Sequence, residues 1–292
     1  MLRIIFLFVF FCFHHMTFSQ NVSTKLIKEY EDTLKIIANE IMFADSEEKR
    51  QNASDGFSLI LSEVLNYEKS FKHPFDSLKT ISILNSPDNQ FRLFNWILKK
   101  DNGSHKYYAF IQYKKKKKIE LIELIDNSKN IRNSINKNLD SKNWLGCLYY
   151  KIIYIKKTGR KYYTLLGWDG HDSKSTKKII EVLTFGGKNK IKFGLPIFKL
   201  KNKKSQKRFI LESDAKTSFT LNYDKTIQSI VFSNLIPIKK DLKGMEEYYI
   251  PDGSFNSFEY KSGKWYLMDN IDARNKNKKS KYKKPKMGLI NK

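Results

Sequence analysis

The residues of this sequence whose types and spacing can do chemistry together are concentrated in Gly167-Trp168-Asp169-Gly170-His171-Asp172. Two carboxylates and an imidazole within four positions can work as general acid and base, or coordinate a metal ion loosely. Gly170 admits a sharp backbone turn, and Trp168 offers an apolar platform next to the polar groups. The same residues also make an ordinary turn, in which Asp169 bonds its own backbone and His171 stays in solvent. Asp169, His171 and Asp172 are therefore candidates for a hydrolase site, with the simple turn as the plainer alternative.

Two further stretches can make contacts. In Tyr248–Tyr260, aromatic and polar residues alternate, so Tyr248, Tyr249 and Tyr260 can line a groove for carbohydrate or pack within a sheet. Pro251-Asp252-Gly253 has the residues of a tight turn between two strands. Lys114, Lys116 and Lys118 belong to an unbroken run of lysines, which reads as an exposed hairpin and can attract an anionic ligand. The sequence has no Gly-x-Ser-x-Gly elbow, no His-Glu-x-x-His helix, no glycine-rich phosphate loop ending in Lys-Ser or Lys-Thr, and no paired-cysteine metal pattern. No cofactor and no metal is expected from these residues, and the balance favours a binding or structural role over an enzyme.

The elements that must position these residues are legible from periodicity. Leu26, Tyr30, Leu34, Ile37 and Ile41 recur three or four apart, which predicts a helix over residues 23–43 capped by Ser23 or Thr24. A second helix is expected from Gly56 to Tyr67 with Asp55 as its N-cap, and a charged, exposed linker from Asp45 to Ser54. From Phe75 onward short apolar runs alternate with Gly, Asn, Asp, Pro and Lys, which predicts strands, the first four at residues 78–84, 91–98, 107–113 and 119–125. Residues 127–142, with Ile131, Ile135 and Leu139 four apart, read as a short helix across the sheet. Residues 175–183 fit a strand or a short helix. The central feature is a hairpin of Leu145–Ile155 and Tyr162–Trp168. Leu148, Tyr150, Ile152 and Tyr154 are expected on one face and Cys147, Tyr149, Ile153 and Ile155 on the other, so both faces need cover. The fold class is thus α+β: an N-terminal helical segment packed on a large, mainly antiparallel β-sheet region, arranged as a partly open barrel or a sandwich.

Composition sets the remaining expectations. The chain of 292 residues carries 55 basic and 30 acidic side chains, a net charge of +25. Only seven of the basic residues are arginine, and lysine serves phosphate or carboxylate attraction better than bidentate base reading. Residues 21–70 run the other way, with ten acidic against six basic side chains. Arg3 followed by the ten apolar residues Ile4–Phe13 reads as an export signal over residues 1–20, too short to span a bilayer. Export argues against nucleic acid as a partner and leaves anionic envelope lipid or glycan, with a periplasmic, outer-envelope-associated or secreted location and no transmembrane span in the mature chain. The helical segment is expected at 21–70, the strand-rich domain at 71–271, and a disordered basic tail at 272–292. Cys147 would be the single cysteine left after cleavage, read as a buried, inert thiol.

Phe18-Ser19-Gln20, Tyr162–Gly170 and Tyr249–Phe255 together resemble blocks of an uncharacterised family of exported proteins from Bacteroidetes-type bacteria. The resemblance covers most of the chain outside the lysine-rich tail. It implies export and carries no activity or catalytic residue with it.

Overall fold

The computed structural model of the protein describes residues 23–115, 118–155, 161–186, 190–201 and 204–271. The expected signal stretch at 1–20, the expected tail at 272–292, Lys116 and residues 156–160 lie outside these residues. Helix α1 (Thr24–Phe43) begins where the Ser23 hydroxyl accepts the Leu26 N–H at 3.1 Å. Its buried face is Ile27, Glu31, Leu34, Ala38 and Ile41, rotated from the expected stripe so that Leu26 is exposed. Helix α2 (Glu47–Leu65) starts well before Asp55, because Ser46 caps the Lys49 N–H at 3.3 Å and Glu47 and Glu48 fill the first turn. The expected linker at 45–54 is therefore largely helix. Polar anchoring replaces an apolar stripe there: Arg50 donates to the carbonyls of Lys99 and Ala44 and to Asp101. Ser54, also buried, accepts the Trp96 indole N–H at 2.9 Å.

Strands β1 (Ser82–Asn85), β2 (Phe91–Lys99), β3 (His105–Lys115) and β4 (Lys118–Ile125) form an antiparallel meander in that order. Alternation sends Phe94, Trp96 and Phe110 against the helices and Phe91, Leu93, Ala109, Ile111 and Leu124 toward a second sheet. That second sheet contains β5 (Leu148–Tyr154), β6 (Tyr163–Asp169), β7 (Ser175–Phe185) and β8 (Ile191–Phe193). The chain then contributes β9 (Phe198–Lys199) to a third sheet and returns with β10 (Arg208–Asp214), giving the order β10-β7-β6-β5 with β8 also on β7. The third sheet adds β11 (Leu221–Asp224), β12 (Ser229–Pro237), β13 (Tyr249–Lys261) and β14 (Lys264–Met268) in the order β11-β12-β13-β14-β9. Only the β14–β9 pair is parallel among the described strand pairs. The layers are helices, first sheet, second sheet, third sheet, and the sheets are not closed into a barrel. No helix among the described residues is long and apolar enough to cross a membrane.

The middle sheet is covered on both faces, as its two-sided apolar pattern requires. Tyr163, Leu165, Ile179 and Leu183 pack toward the first sheet, while Leu166, Ile180 and Val182 pack toward Ile230, Phe258 and Trp265 of the third. The expected face assignment of β5 holds only in part. A register shift between Tyr149 and Lys151 puts Tyr149 and Ile152 on the same side, facing the first sheet, and Tyr150 and Ile153 on the other. Gly167 sits opposite Tyr149, and a Cβ there would lie 2.6 Å from the Cys147 sulfur, so this close approach requires glycine. Cys147 is free and fully buried, and burial pushes its thiol well above the ordinary range.

Two other expectations change, and one open alternative is decided. Residues 127–142 contain two short 3-10 turns, Ser128–Asn130 and Ser134–Asn136, and no α-helix. Residues 175–183 are strand β7. Pro251-Asp252-Gly253 does not end a strand but lies within β13, where the pairing with β12 jumps from Ser233↔Phe255 to Leu235↔Pro251. The extra residues bulge outward, with Asp252 accepting from Ser254 and from the Asn234 amide.

Two buried charges tie layers together. Arg208 and Glu181, both fully buried, pair at 2.9 Å across the adjacent strands β10 and β7 of the second sheet and reach the 127–142 segment. Glu181 also accepts the Tyr149 hydroxyl, which in turn accepts the Trp144 indole N–H at 2.9 Å, and Arg208 donates to the carbonyls of Ser134 and Lys137. Breaking a buried pair on one side typically costs about 3–5 kcal/mol. Arg208→Met is accordingly expected to lower the free energy of urea unfolding by about that amount, and the double change Arg208→Met/Glu181→Leu to lose less than the single one.

Glu31, on the buried face of α1, accepts from His73 Nε2 at 2.7 Å, from the Ser77 N–H at 2.7 Å, from the Ser77 hydroxyl and from Lys28. Burial alone would raise its carboxyl, but the Ser77, His73 and Lys28 bonds outweigh burial and hold it down at about 2. A depressed carboxyl stabilises the fold fully above its ordinary value of 4.5 and loses that contribution as pH falls toward 2. Denaturant midpoints measured from pH 6 to pH 2.5 should therefore drop with acid in the native chain, and Glu31→Gln should flatten the acid limb while lowering the neutral-pH value.

Candidate functional site

Asp169 ends β6, and the chain then turns through Gly170 and His171, whose φ of 47° is left-handed. The turn is held by side chains. Asp169 accepts the His171 N–H at 2.8 Å and the Tyr107 hydroxyl at 3.0 Å, while the same hydroxyl accepts the Gly170 N–H at 2.8 Å. Burial raises the Asp169 carboxyl, and this outweighs the opposing bonds from His171 and Tyr107 and the charges of His171 and Lys177. His105 stands beside it, packed edge-on against Trp168 at 5.7 Å, with its Nδ1 buried and unpartnered. Burial lowers the His105 imidazole against the pull of Asp169. A Cβ on Gly170 would meet His105 at 2.5 Å.

His171 and Asp172 face a cation supplied by the chain itself. The Lys177 ammonium lies 3.1 Å from His171 Nε2 and 3.3 Å from Glu212, and Glu212 also accepts the Ser175 hydroxyl at 2.5 Å. Asp172 is 3.7 Å from His171 Nε2 but spends its other oxygen on the N–H groups of Lys174 and Ser175. Those backbone bonds and the nearby His171 and Lys177 charges hold the Asp172 carboxyl down, although burial opposes them. The expected triad is thus brought together in space. Lys177 occupies the position between imidazole and carboxylate that an incoming cation would take, and among the described residues no group of three or more metal-type ligands is arranged to hold an ion. Tyr107, His105, Lys177 and Glu212 are not readable as members, because His105 and Tyr107 come from β3 in the first sheet, while Lys177 on β7 and Glu212 on β10 join through the pairings β6–β7 and β10–β7.

A second concave region lies at the ends of the hairpins of the second and third sheets. A cleft of about 1040 Å³ is lined by Tyr154, Ile155, Tyr223, Ile227, Gln228 and Tyr260, with Ser229, Glu259 and Lys261 to Gly263 completing its wall. The rings are held in place: Tyr154 stacks on Tyr163 at 5.2 Å, Tyr260 packs edge-on to Trp265 at 5.1 Å, and the Tyr260 and Tyr162 hydroxyls bond. The rim is two tight turns. Ser262 and Gly263 both have positive φ, the geometry of a two-residue hairpin, and Gln228 at 52° closes the β11–β12 turn. Strained backbone of this kind gathers where a loop must present side chains.

The expected contact residues divide. Tyr260 lines the cleft. Tyr248 is exposed at the far end of the third sheet, and the Tyr249 hydroxyl accepts the Gly244 N–H at 3.1 Å, so neither joins it. Trp168 belongs to the Asp169 turn. Lys114 lies over the Phe71 ring at 6.0 Å and Lys118 opens β4, both on the β3–β4 hairpin of the first sheet, away from the cleft lining. No protein-family model, curated protein or solved structure matches the chain.

The geometry of the Asp169 turn has a titration signature. The Asp169 side-chain carboxyl carbon followed by NMR should titrate above the ordinary 3.8, and the His105 ring below 6.5. Asp169→Asn removes the charge that supports the imidazolium, so His105 should move further down, and the loss of a charged acceptor should cost about 1–3 kcal/mol of stability.

Proposed function

We propose that this chain is an exported, envelope-associated binding protein, and that it binds glycan in the cleft between the second and third sheets. The observation that carries the reading is the set of tyrosines Tyr154, Tyr223 and Tyr260, partly exposed in one concavity and interleaved with Gln228, Ser229 and Glu259. Flat aromatic faces cover the C–H faces of sugar rings, while amide and carboxylate groups such as those of Gln228 and Glu259 take the sugar hydroxyls. The rings are fixed by Tyr163 and Trp265, which reduces the ordering cost of binding. Export rests on Arg3 and the apolar run Ile4–Phe13.

The competing reading is a hydrolase using Asp169, His171 and Asp172, favoured by the raised carboxyl of Asp169. The Lys177 ammonium between His171 and Glu212 supports a structural turn with its own counter-cation instead. A glycan array followed by calorimetry tests the binding reading: one or more oligosaccharides should bind, and Tyr154→Ala and Tyr223→Ala should each weaken binding about tenfold, the equivalent of ~1.4 kcal/mol, while each variant still unfolds in one cooperative transition above the assay temperature. A hydrolase screen giving turnover that His171→Ala abolishes in a folded protein would reverse the choice.

A further inference from the structure

Tyr154 and Tyr223 do not serve the cleft alone. Both residues also wall a second depression of about 380 Å³ that runs along β5, between β1 and β11. Its lining is Leu84, Asn85, Pro87, Tyr150 to Tyr154, Tyr223 and Lys225. The two halves differ in charge. In the first, the single carboxylate Glu259 and the single lysine Lys261 stand 3.4 Å apart and neutralise each other. In the second, Lys151 and Lys225 are present with no carboxylate in the lining, and neither makes an ion pair among the described residues. Asp224, next in the chain to Lys225, is turned into its own hairpin, where it accepts the N–H groups of Thr226 and Ile227 at 2.7 and 3.3 Å. Tyr150, on the floor, is fixed by donating its hydroxyl to the Leu221 carbonyl at 2.8 Å.

A neutral aromatic subsite that shares two of its wall residues with a cationic one fits a ligand of two or more linked units, one of which carries negative charge. We propose, resting on the reading of the cleft as a glycan site, that the ligand is an acidic oligosaccharide. A neutral sugar packs on Tyr154, Tyr223 and Tyr260, and a carboxylate- or phosphate-bearing sugar lies beside Lys151 and Lys225. Lysine suits this role, since a compact ammonium on a flexible stem meets either anion without demanding bidentate geometry. The two ammonium groups act from partly exposed positions, where each contributes up to about 1 kcal/mol and is screened by salt.

The test is calorimetric titration of the full chain with size-matched tetrasaccharides that are neutral, uronate-bearing or phosphorylated, together with anionic liposomes. The acidic glycans should bind about tenfold more tightly than the neutral one at low salt, and the advantage should shrink as salt is added. In Lys151→Gln/Lys225→Gln the preference should fall to about twofold while the neutral glycan binds as before, and Tyr154→Ala should weaken both classes. Lys225 lies in an exposed turn, so Lys225→Gln alone gives the same direction without touching β5. The uronate and phosphate arms distinguish the two sources of charge. Equal binding of neutral and acidic glycans overturns the acidic subsite and leaves the cleft reading intact. Binding to liposomes lost in Lys225→Gln, with no glycan bound, overturns it in favour of a lipid headgroup. No binding by any glycan or liposome overturns both the cleft reading and this inference.

Discussion

A salt bridge with no exposure to water is tolerable only if every remaining donor and acceptor of its two charges is met, and the Arg208–Glu181 pair imposes that condition on much of this fold. Glu181 comes from the central strand β7 and Arg208 from its neighbour β10, which fixes the register between them. The Tyr149 hydroxyl completes the carboxylate, and the carbonyls of Ser134 and Lys137 complete the guanidinium. This last demand explains why residues 127–142 do not form the helix that their spacing of isoleucine and leucine predicts. A regular helix would turn those carbonyls to their own backbone, whereas here the Lys137 carbonyl lies past the second 3-10 turn and faces Arg208, and the Ser134 carbonyl accepts from both the Lys137 N–H and Arg208.

The parts of the fold that were readable in advance are those whose signal is local. The Ser23-capped first helix, the β2–β3–β4 meander and the two-sided apolar hairpin of β5 and β6 all follow from period and turn chemistry within a few residues. The errors have physical causes of longer range. The first half of α2 is helical because Arg50 and Ser54 find partners in the first sheet, not because its own sequence carries an apolar stripe. The faces of β5 depart from simple alternation through one bulge, which no periodic count registers. Pro251 and Gly253 look like a strand end, yet β12 and β13 are long enough to continue past them once the surplus residues are pushed outward.

The two concave regions contrast in the same way. Asp169, His171 and Asp172 are close in sequence and stay close in space, so the cluster is visible there, but the lysine that stands against its imidazole arrives from β7 and changes what the cluster can do. The cleft has the opposite character. Tyr154, Tyr223 and Tyr260 come from three separate hairpins, and only the stacking of one sheet on another brings their ends together. Of its members Tyr260 alone was singled out from sequence as a binding residue, on aromatic alternation within Tyr248–Tyr260.

The parallel pair between β9 and β14 has a consequence for the order in which the molecule can be finished. Phe198 and Lys199 are made 67 residues before the Trp265 and Tyr266 with which they pair. A chain emerging from its N-terminus, whether from a ribosome or through a translocation channel, can therefore assemble the helices and the first two sheets while one face of the middle sheet still stands bare. Leu166, Ile180 and Val182 wait for Phe258 and Trp265. Until then that face is a sticky surface in need of shelter, and the final short strand acts as the latch that closes the stack.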